Sequence, residues 1–173
     1  MTTRIYAMAV AALLIASPAL ASPQEDGACL VARLSSADIS AIVEATMEGG
    51  SNETLGRLAG PLDACSAGRN WTPRQSGDAA AYAIGLVVRR TLGERLVEHG
   101  IDAFALNSWF TRQSDAFRTT AFTTMDEAAR ETAFATLVDH EVSAEAMERD
   151  GAIIGGYVSA LMIIERIDRG LGM

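Results

Sequence analysis

The feature that most constrains the fold is an uncharged run near the C-terminus, GAIIGGYVSALMII, which extends from Gly151 to Ile164. As an α-helix, these residues would rise about 21 Å, whereas the hydrocarbon core of a membrane is roughly 30 Å thick. The run cannot be lengthened, because Asp150 precedes it and Glu165 follows it. It therefore predicts a helix at the centre of a soluble core rather than a transmembrane span.

Small residues within this run recur at a spacing that allows helices to approach closely. Gly151 and Gly155 form a GxxxG pattern, and Gly156 with Ala160 repeats the spacing. In a water-soluble core this pattern favours tight packing of a neighbouring helix, and the uncharged segment from Ala79 to Val88 is the expected neighbour. A dimer contact through the same face is the alternative.

Capping signals and apolar periodicity predict helices along the rest of the chain. The clearest start is Thr72, because Pro73 follows at the first helical position and Gln75 completes a capping box. Gly100 is expected to end that helix. Further helix starts are expected at Ser36, Ser51 or Asn52, Asp102, Ser114, Thr124 and Ser143.

These signals predict an all-α, compact, bundle-like domain of six or seven helices. Two hydrophobic helices, roughly Pro73 to His99 and Ser143 to Arg169, are expected near its centre. The polar stretch from Ser22 to Gly27 is interpreted as a loose arm. Pro61 is expected to kink its helix or to end it near Gly60.

The first 21 residues have the composition of a secretory signal peptide. Arg4 precedes an uncharged stretch, and Ala19 and Ala21 are the small residues that signal peptidase recognises. Cleavage after Ala21 would leave residues 22–173, a length typical of a single domain. The protein is therefore expected outside the cytoplasm, in a periplasm or secreted.

Cys29 and Cys65 are the only cysteines, and both lie in the part predicted to be exported. Oxidising compartments allow thiols to pair and to remain paired. The spacing of the two residues is not that of a CxxC redox motif, so we interpret them as one structural disulfide. Two free thiols with a redox role are the alternative.

The charge of the chain limits its partners. The formal net charge is −8, and it becomes −9 when Arg4 is removed with the leader. All 14 basic residues are arginine, which excludes a Schiff-base lysine and a P-loop lysine. Nucleic acid is a poor partner for such a surface, whereas a basic protein is a suitable one. A monomer or a homodimer is expected.

The candidate segment for chemistry is Asp139-His140-Glu141, because an imidazole beside carboxylates can act as a general base or as a metal ligand. The zinc-protease pattern HExxH is incomplete, since Ala144 stands where its second histidine would be. The di-iron pattern is incomplete as well, since Leu137 takes the place of its glutamate. A solvated histidine at a helix end is the alternative interpretation.

The remaining residues argue against catalysis, against a zinc site and against a bound cofactor, whereas calcium binding by the many carboxylates stays open although no DxDxDG-type loop occurs. The other histidine, His99, is expected near a helix C-terminus, which it would cap. Two histidines and two paired thiols do not provide the ligands of a three-histidine or cysteine-rich zinc site. The GxSxG, GxGxxG, Walker and CxxCH patterns are absent. A Ser-His-acid site assembled from distant residues stays open.

Two aromatic positions have alternative interpretations. Trp71 is either an exposed contact residue or a staple against the following helix. Trp109 and Phe110 are interpreted as core residues rather than as walls of a ligand pocket.

The first functional hypothesis is an exported, non-catalytic helical protein that acts through protein contacts or assembly. The second is a carrier that holds an apolar small molecule between the central helices, which a cavity beside Gly151, Gly155 and Gly156 would favour. The third is a small hydrolase that uses His140, which requires an acid within hydrogen-bonding distance of the imidazole ring.

Overall fold

The computed structural model describes residues 22–48, 51–120 and 127–172, except for the side chains of residues 51–53 and 139–140. This part of the chain forms helices and no strand, which confirms the predicted all-α bundle. Its helices number eight rather than six or seven, because an additional helix begins at Pro23. In chain order they are α1 (Pro23–Val31), α2 (Ser36–Glu48), α3 (Ser51–Ser66), α4 (Pro73–Glu98), α5 (Ala103–Arg112), α6 (Asp115–Thr119), α7 (Glu127–His140) and α8 (Ala144–Asp168).

The two helices predicted at the centre form the core of the bundle. α4 and α8 make the most extensive helix pair in the described part of the chain. The uncharged run lies within α8, and its large buried side chains are Ile154, Tyr157, Val158, Leu161, Met162 and Ile164. Within the described ranges, no helix is both long enough and apolar enough to cross a membrane.

The close approach of α4 and α8 occurs along Gly156 and Ala160, the second pair of small residues in the run. A methyl group added at Gly85 of α4 would lie 3.4 Å from the carbonyl oxygen of Ala160. One added at Gly156 would lie 2.7 Å from Leu92 Cδ1 and 2.7 Å from Met47 Sδ. At both glycines an added methyl group would require neighbouring atoms to shift, so the chain packs closely at these positions.

Residues 22–27, interpreted above as a loose arm, contain the start of α1 instead. The Ser22 hydroxyl accepts a hydrogen bond from the backbone N–H of Glu25, and the Glu25 carboxylate accepts one from the backbone N–H of Ser22. Pro23 at the first helical position completes the kind of signal that also starts α4. The interpretation as an arm was wrong, because polar side chains in a first turn satisfy the free N–H groups of a helix.

The two cysteines bring α1 and α3 together. Cys29 and Cys65 lie at disulfide distance, with their Cα atoms 6.1 Å apart. Cys65 packs in a small second core with Leu30 of α1 and with Ala79 and Ala83 of α4. The cysteine pair therefore lies where α1, α3 and α4 meet.

α3 continues past Pro61 to Ser66, so the helix does not end near Gly60. A proline in a helix interior removes one backbone hydrogen bond and crowds the preceding turn. Leu58 before the proline and Cys65 after it are both buried. Tertiary packing on both sides therefore outweighs the local cost of the proline.

The other predicted helix starts largely agree with the structure. Thr72 caps α4 with a complete capping box. The N-caps Asp102, Ser114 and Ser143 start α5, α6 and α8. At α2, Ser35 takes the capping role expected of Ser36, since its hydroxyl accepts from the backbone N–H of Asp38 at 3.1 Å. The predicted cap Thr124 lies outside the described residues.

Candidate functional site

In the described part of the chain, helix α7 makes no extensive contact with any other helix, so it is attached to the bundle more loosely than they are. Of its larger apolar side chains, Leu137 is fully buried, and Phe134 and Val138 are half-buried. Ala133 is buried as well. Most other described side chains of α7 are exposed, and surface depressions lie beside it.

The first of these depressions, the α6–α7 groove, has a volume of about 600 Å³ and opens to solvent. Its walls are mostly small or apolar side chains, among them Ala116, Phe117, Ala128, Ala129 and Ala133. Two threonines of α7 also line the walls, but their hydroxyls donate to carbonyl oxygens of their own helix. The groove therefore offers apolar contacts and few free hydrogen-bond donors.

A second depression, the α5–α7 cavity, shares Gln113 and Thr136 with the first and has a volume of about 400 Å³. It is lined by Trp109, Arg112, Gln113, Thr136 and Glu141. The Arg112 guanidinium donates a hydrogen bond to the Glu141 carboxylate, and the Gln113 amide donates to the carbonyl oxygen of Trp109 at 3.1 Å. This end of the surface is polar, and its principal charges pair with each other.

A third depression, the α7–α8 groove, lies on the other side of α7 and has a volume of about 440 Å³. Phe134 of α7 and Met147 and Gly151 of α8 contribute apolar surface. The other lining residues are charged, namely Glu127, Arg130 and Glu131. This groove therefore combines apolar contacts with carboxylates.

A buried carboxylate meets a histidine where α4 ends. Asp150 is 3 % exposed, and its Oδ1 lies 2.7 Å from Nδ1 of His99. The Oδ2 atom of Asp150 accepts from the Arg149 guanidinium, 2.9 Å from Nε and 2.8 Å from Nη2. The same guanidinium donates to the backbone carbonyl oxygen of His99 at 3.3 Å. These three residues join the C-terminus of α4 to α8.

The surroundings of Asp150 favour its ionised form. The hydrogen bond from the His99 ring is the largest influence and lowers the pKa of the carboxyl group, while burial raises it and Arg149 lowers it further. An ionised carboxylate can only accept, so a neutral His99 ring carries its proton on Nδ1. Nε2 is then the basic nitrogen of a side chain that is 43 % exposed.

This arrangement resembles an oriented general base, but it lies apart from the three depressions. None of them is lined by His99. The position of His99 at the C-cap of α4 agrees with the prediction, whereas its partner Asp150 was not predicted. The two residues are 51 positions apart, and no local pattern links them. One sequence feature could have indicated that Asp150 is buried, because this residue directly precedes the uncharged run that forms a buried helix.

The predicted segment Asp139-His140-Glu141 closes α7. The side chains of Asp139 and His140 lie outside the described residues. Glu141 lines the α5–α7 cavity, where Arg112 engages its carboxylate. Of the three predicted site residues, only Glu141 therefore has a described side chain.

The three glycines suggested to border a ligand cavity have different surroundings. Gly156 faces Leu92 and Met47, so the space beside it is filled. A methyl group at Gly155 would meet nothing within 4 Å, and Gly151 lines the α7–α8 groove. The space beside Gly151 is a groove that opens to solvent.

The aromatic residues divide between core and surface. Trp109 and Phe110 are buried as predicted, and Phe117 packs against Trp109 with ring centroids 5.7 Å apart. Trp109 also lines the α5–α7 cavity, so the core and wall interpretations both apply to it. Trp71 is half-buried against the small core near Cys65.

Among the residues whose side chains are described, no group of three His, Cys, Asp or Glu residues is arranged to hold a metal ion. No protein-family model, no curated protein and no solved structure matches the chain.

Proposed function

We propose that this protein is exported and acts without catalysis, through contacts with another protein. The observation that carries the proposal is the surface around α7, where three open depressions lie beside a loosely attached helix. Concave surfaces with apolar walls are typical of sites that another molecule covers. The acidic composition of the chain favours a basic partner.

Export is supported by the leader-like sequence of residues 1–21 and by the pair of cysteines at disulfide distance. Cleavage after Ala21 leaves Ser22 as the first residue. Ser22 then also serves as the N-cap of α1.

A non-catalytic role is supported by the position of the acid–histidine pair. Both oxygens of Asp150 are engaged, and His99 and Arg149 connect it to the end of α4. We interpret the three residues as a structural junction between the central helices. In the alternative hydrolase hypothesis, His140 is the candidate catalytic residue.

A carrier of an apolar small molecule is the second candidate function. The α6–α7 groove has a volume of about 600 Å³, which falls within the range of roughly 300–1,000 Å³ typical of small-molecule sites. The candidate site differs from the one suggested above, because it lies beside α7 and not between the central helices.

Native mass spectrometry of protein released from its own compartment tests both functions. We expect a chain that begins at Ser22 and is lighter than the reduced chain by the two hydrogen atoms lost when a disulfide forms. We also expect this chain to form a complex of defined mass with a second protein. Ala128→Trp, which blocks the α6–α7 groove, is expected to disrupt that complex. Ala59→Trp is the matched control, because Ala59 is an exposed alanine on α3.

Two outcomes contradict the contact function. A bound small molecule in place of a protein would favour the carrier. A bare chain, even after chemical crosslinking in the native compartment, would exclude a stable protein contact.

A further inference from the structure

The α7–α8 groove has an apolar floor and an acidic rim. Phe134 and Met147, which are both half-buried, form the floor together with Gly151. Glu127 and Glu131 are exposed and stand one helical turn apart on α7. The floor thus offers apolar contact area, and the rim offers negative charge at its edge.

The rim carboxylates are available to an external cation. In the part of the chain that the structure describes, no arginine forms an ion pair with Glu127 or Glu131. Arg130, which also lines the groove, already has an interaction of its own. With two carboxylates and one guanidinium, the lining has a negative net charge on a chain whose formal charge is −8.

Among the described residues, little packs against Gly151, which lines the groove, or against Gly155, one helical turn further along α8. A methyl group at Gly155 would meet nothing within 4 Å, and one at Gly151 would meet only Met147 Sδ, at 3.6 Å. Glycine in a helix interior costs up to about 1 kcal/mol relative to alanine. Exposed glycines such as Gly77 also occur without a packing reason, but at Gly151 the bare backbone adjoins a groove and permits close approach of a partner.

We propose that the α7–α8 groove binds a basic amphipathic segment of the partner protein, an inference that rests on the proposed contact function. In helix-in-groove recognition, apolar side chains fill the groove and charges at its edge select the partner. The apolar face of the segment covers Phe134 and Met147. Its lysine or arginine side chains lay their aliphatic stems on the same surface and reach Glu127 and Glu131 with their charged ends.

A synthetic amphipathic helix of leucine and lysine is the probe for this site, and its control peptide has glutamate in place of lysine. Binding to the mature protein is measured by calorimetry at about 0.15 M salt, where exposed charges are largely screened beyond about 8 Å. The leucine–lysine peptide is expected to bind and to shift the NMR signals of Gly151 and Phe134. The leucine–glutamate peptide is expected not to bind.

Two double variants distinguish binding through the rim carboxylates from general attraction of the peptide to an acidic surface. Glu127→Gln/Glu131→Gln is expected to weaken peptide binding about tenfold. The matched control Glu94→Gln/Glu98→Gln removes two exposed carboxylates with the same spacing from α4, and we expect a change below about twofold. Gly151→Leu fills the groove and is expected to abolish binding while the circular dichroism spectrum is unchanged.

Equal weakening by the two double variants would show non-specific attraction to an acidic protein and would overturn the proposal, as would the absence of binding. The native complex distinguishes this failure from failure of the contact function. If the complex forms and survives both Glu127→Gln/Glu131→Gln and Gly151→Leu, the partner docks elsewhere. If no complex forms, the contact function fails, and the docking site fails with it.

Discussion

At the contacts between helices, the space for a side chain and the pKa of a buried carboxyl group depend on the atoms that face the residue. Gly27 and Gly77 both lie within helices, yet a β-carbon at the first would enter α4 and one at the second would meet open space. Asp150 is buried, and the hydrogen bonds from His99 and Arg149 lower the pKa of its carboxyl group. Stability measurements on these positions test the described packing directly.

Gly27→Ala is expected to lower the free energy of unfolding by about 1–3 kcal/mol, the usual cost of overpacking. The added carbon would lie 2.7 Å from Tyr82 Cδ1 and 3.3 Å from the backbone nitrogen of Ala83, so α1 and α4 would have to separate. Gly77→Ala is the matched control and is expected to stabilise by up to about 1 kcal/mol. Urea unfolding measures both, and a neutral Gly27→Ala would contradict the close contact.

Asp150 is expected to make stability sensitive to acid. Its pKa is lowered in the folded protein, mainly by the His99 hydrogen bond, whereas an unfolded aspartate has a pKa of about 3.9. The contribution is therefore present above that unfolded value and is lost as the pH falls through the lowered pKa. Thermal unfolding of Asp150→Asn and the natural chain should differ at pH 7 and converge in acid. A difference independent of pH would contradict this linkage.

At the scale of helices, the bundle combines a tightly packed centre with a loosely attached α7. The pairing of α4 with α8 buries many large side chains, whereas the described part of α7 buries only Ala133 and Leu137. The cysteine pair adds a covalent connection between α1 and α3. These differences predict different local stabilities along the chain.

Amide hydrogen exchange is expected to show α7 opening at a lower free energy than α4 and α8, because few of its apolar side chains are buried. Leu137→Ala should accelerate exchange mainly in α7. Leu92→Ala, at the centre, should lower the stability of all three helices by about 2–5 kcal/mol. Equal protection of α7 and α8 in the natural chain would contradict loose attachment.

Removal of the cysteine pair by Cys29→Ala/Cys65→Ala is expected to cost about 3–4 kcal/mol, since a cross-link over 36 positions restricts the unfolded chain. Chemical unfolding with and without a reducing agent measures this cost. The reducing agent should leave the double variant unaffected. If it also left the natural chain unaffected, the cysteines would not be paired.

At the scale of the whole molecule, arginines fasten the C-terminal tail and α6 to α8. The Arg166 guanidinium donates to the carbonyl oxygen of Thr119 at 2.6 Å. It also donates to the carbonyl oxygen of Gly172, at 3.2 Å from Nε and 2.9 Å from Nη2. Nearby, Arg118 of α6 pairs with Glu165 of α8 at 2.7 Å. One end of the bundle is therefore closed by hydrogen bonds between distant segments.

Arg166→Ala is expected to lower the free energy of unfolding by about 1–3 kcal/mol, because it leaves carbonyl oxygens of two segments without their donor. Arg90→Ala is the matched control, since the Arg90 side chain is 81 % exposed and its ion pair in the described part of the chain is with exposed Glu94. Loss of such a surface pair should change stability by less than about 1 kcal/mol. Thermal unfolding compares the two, and equal effects would contradict the closing role of Arg166.

The sequence by itself determined the all-α class, the two central helices and most helix starts. Thr72 and Ser143 could be identified as caps because a capping hydrogen bond joins residues only three positions apart. The run from Gly151 to Ile164 could be assigned to the core because burial of an uncharged helix follows from composition. Signals of this kind can be recognised within a short stretch of sequence.

Only the tertiary structure decided which distant groups meet. Pro61 stays within its helix because buried neighbours hold both sides, His99 pairs with Asp150 across 51 positions, and the exposed face of α7 borders open grooves. Local propensity contains none of this information. These contacts depend on how complete helices pack, and small differences in helix position decide whether a glycine such as Gly151 faces a neighbour or an open groove.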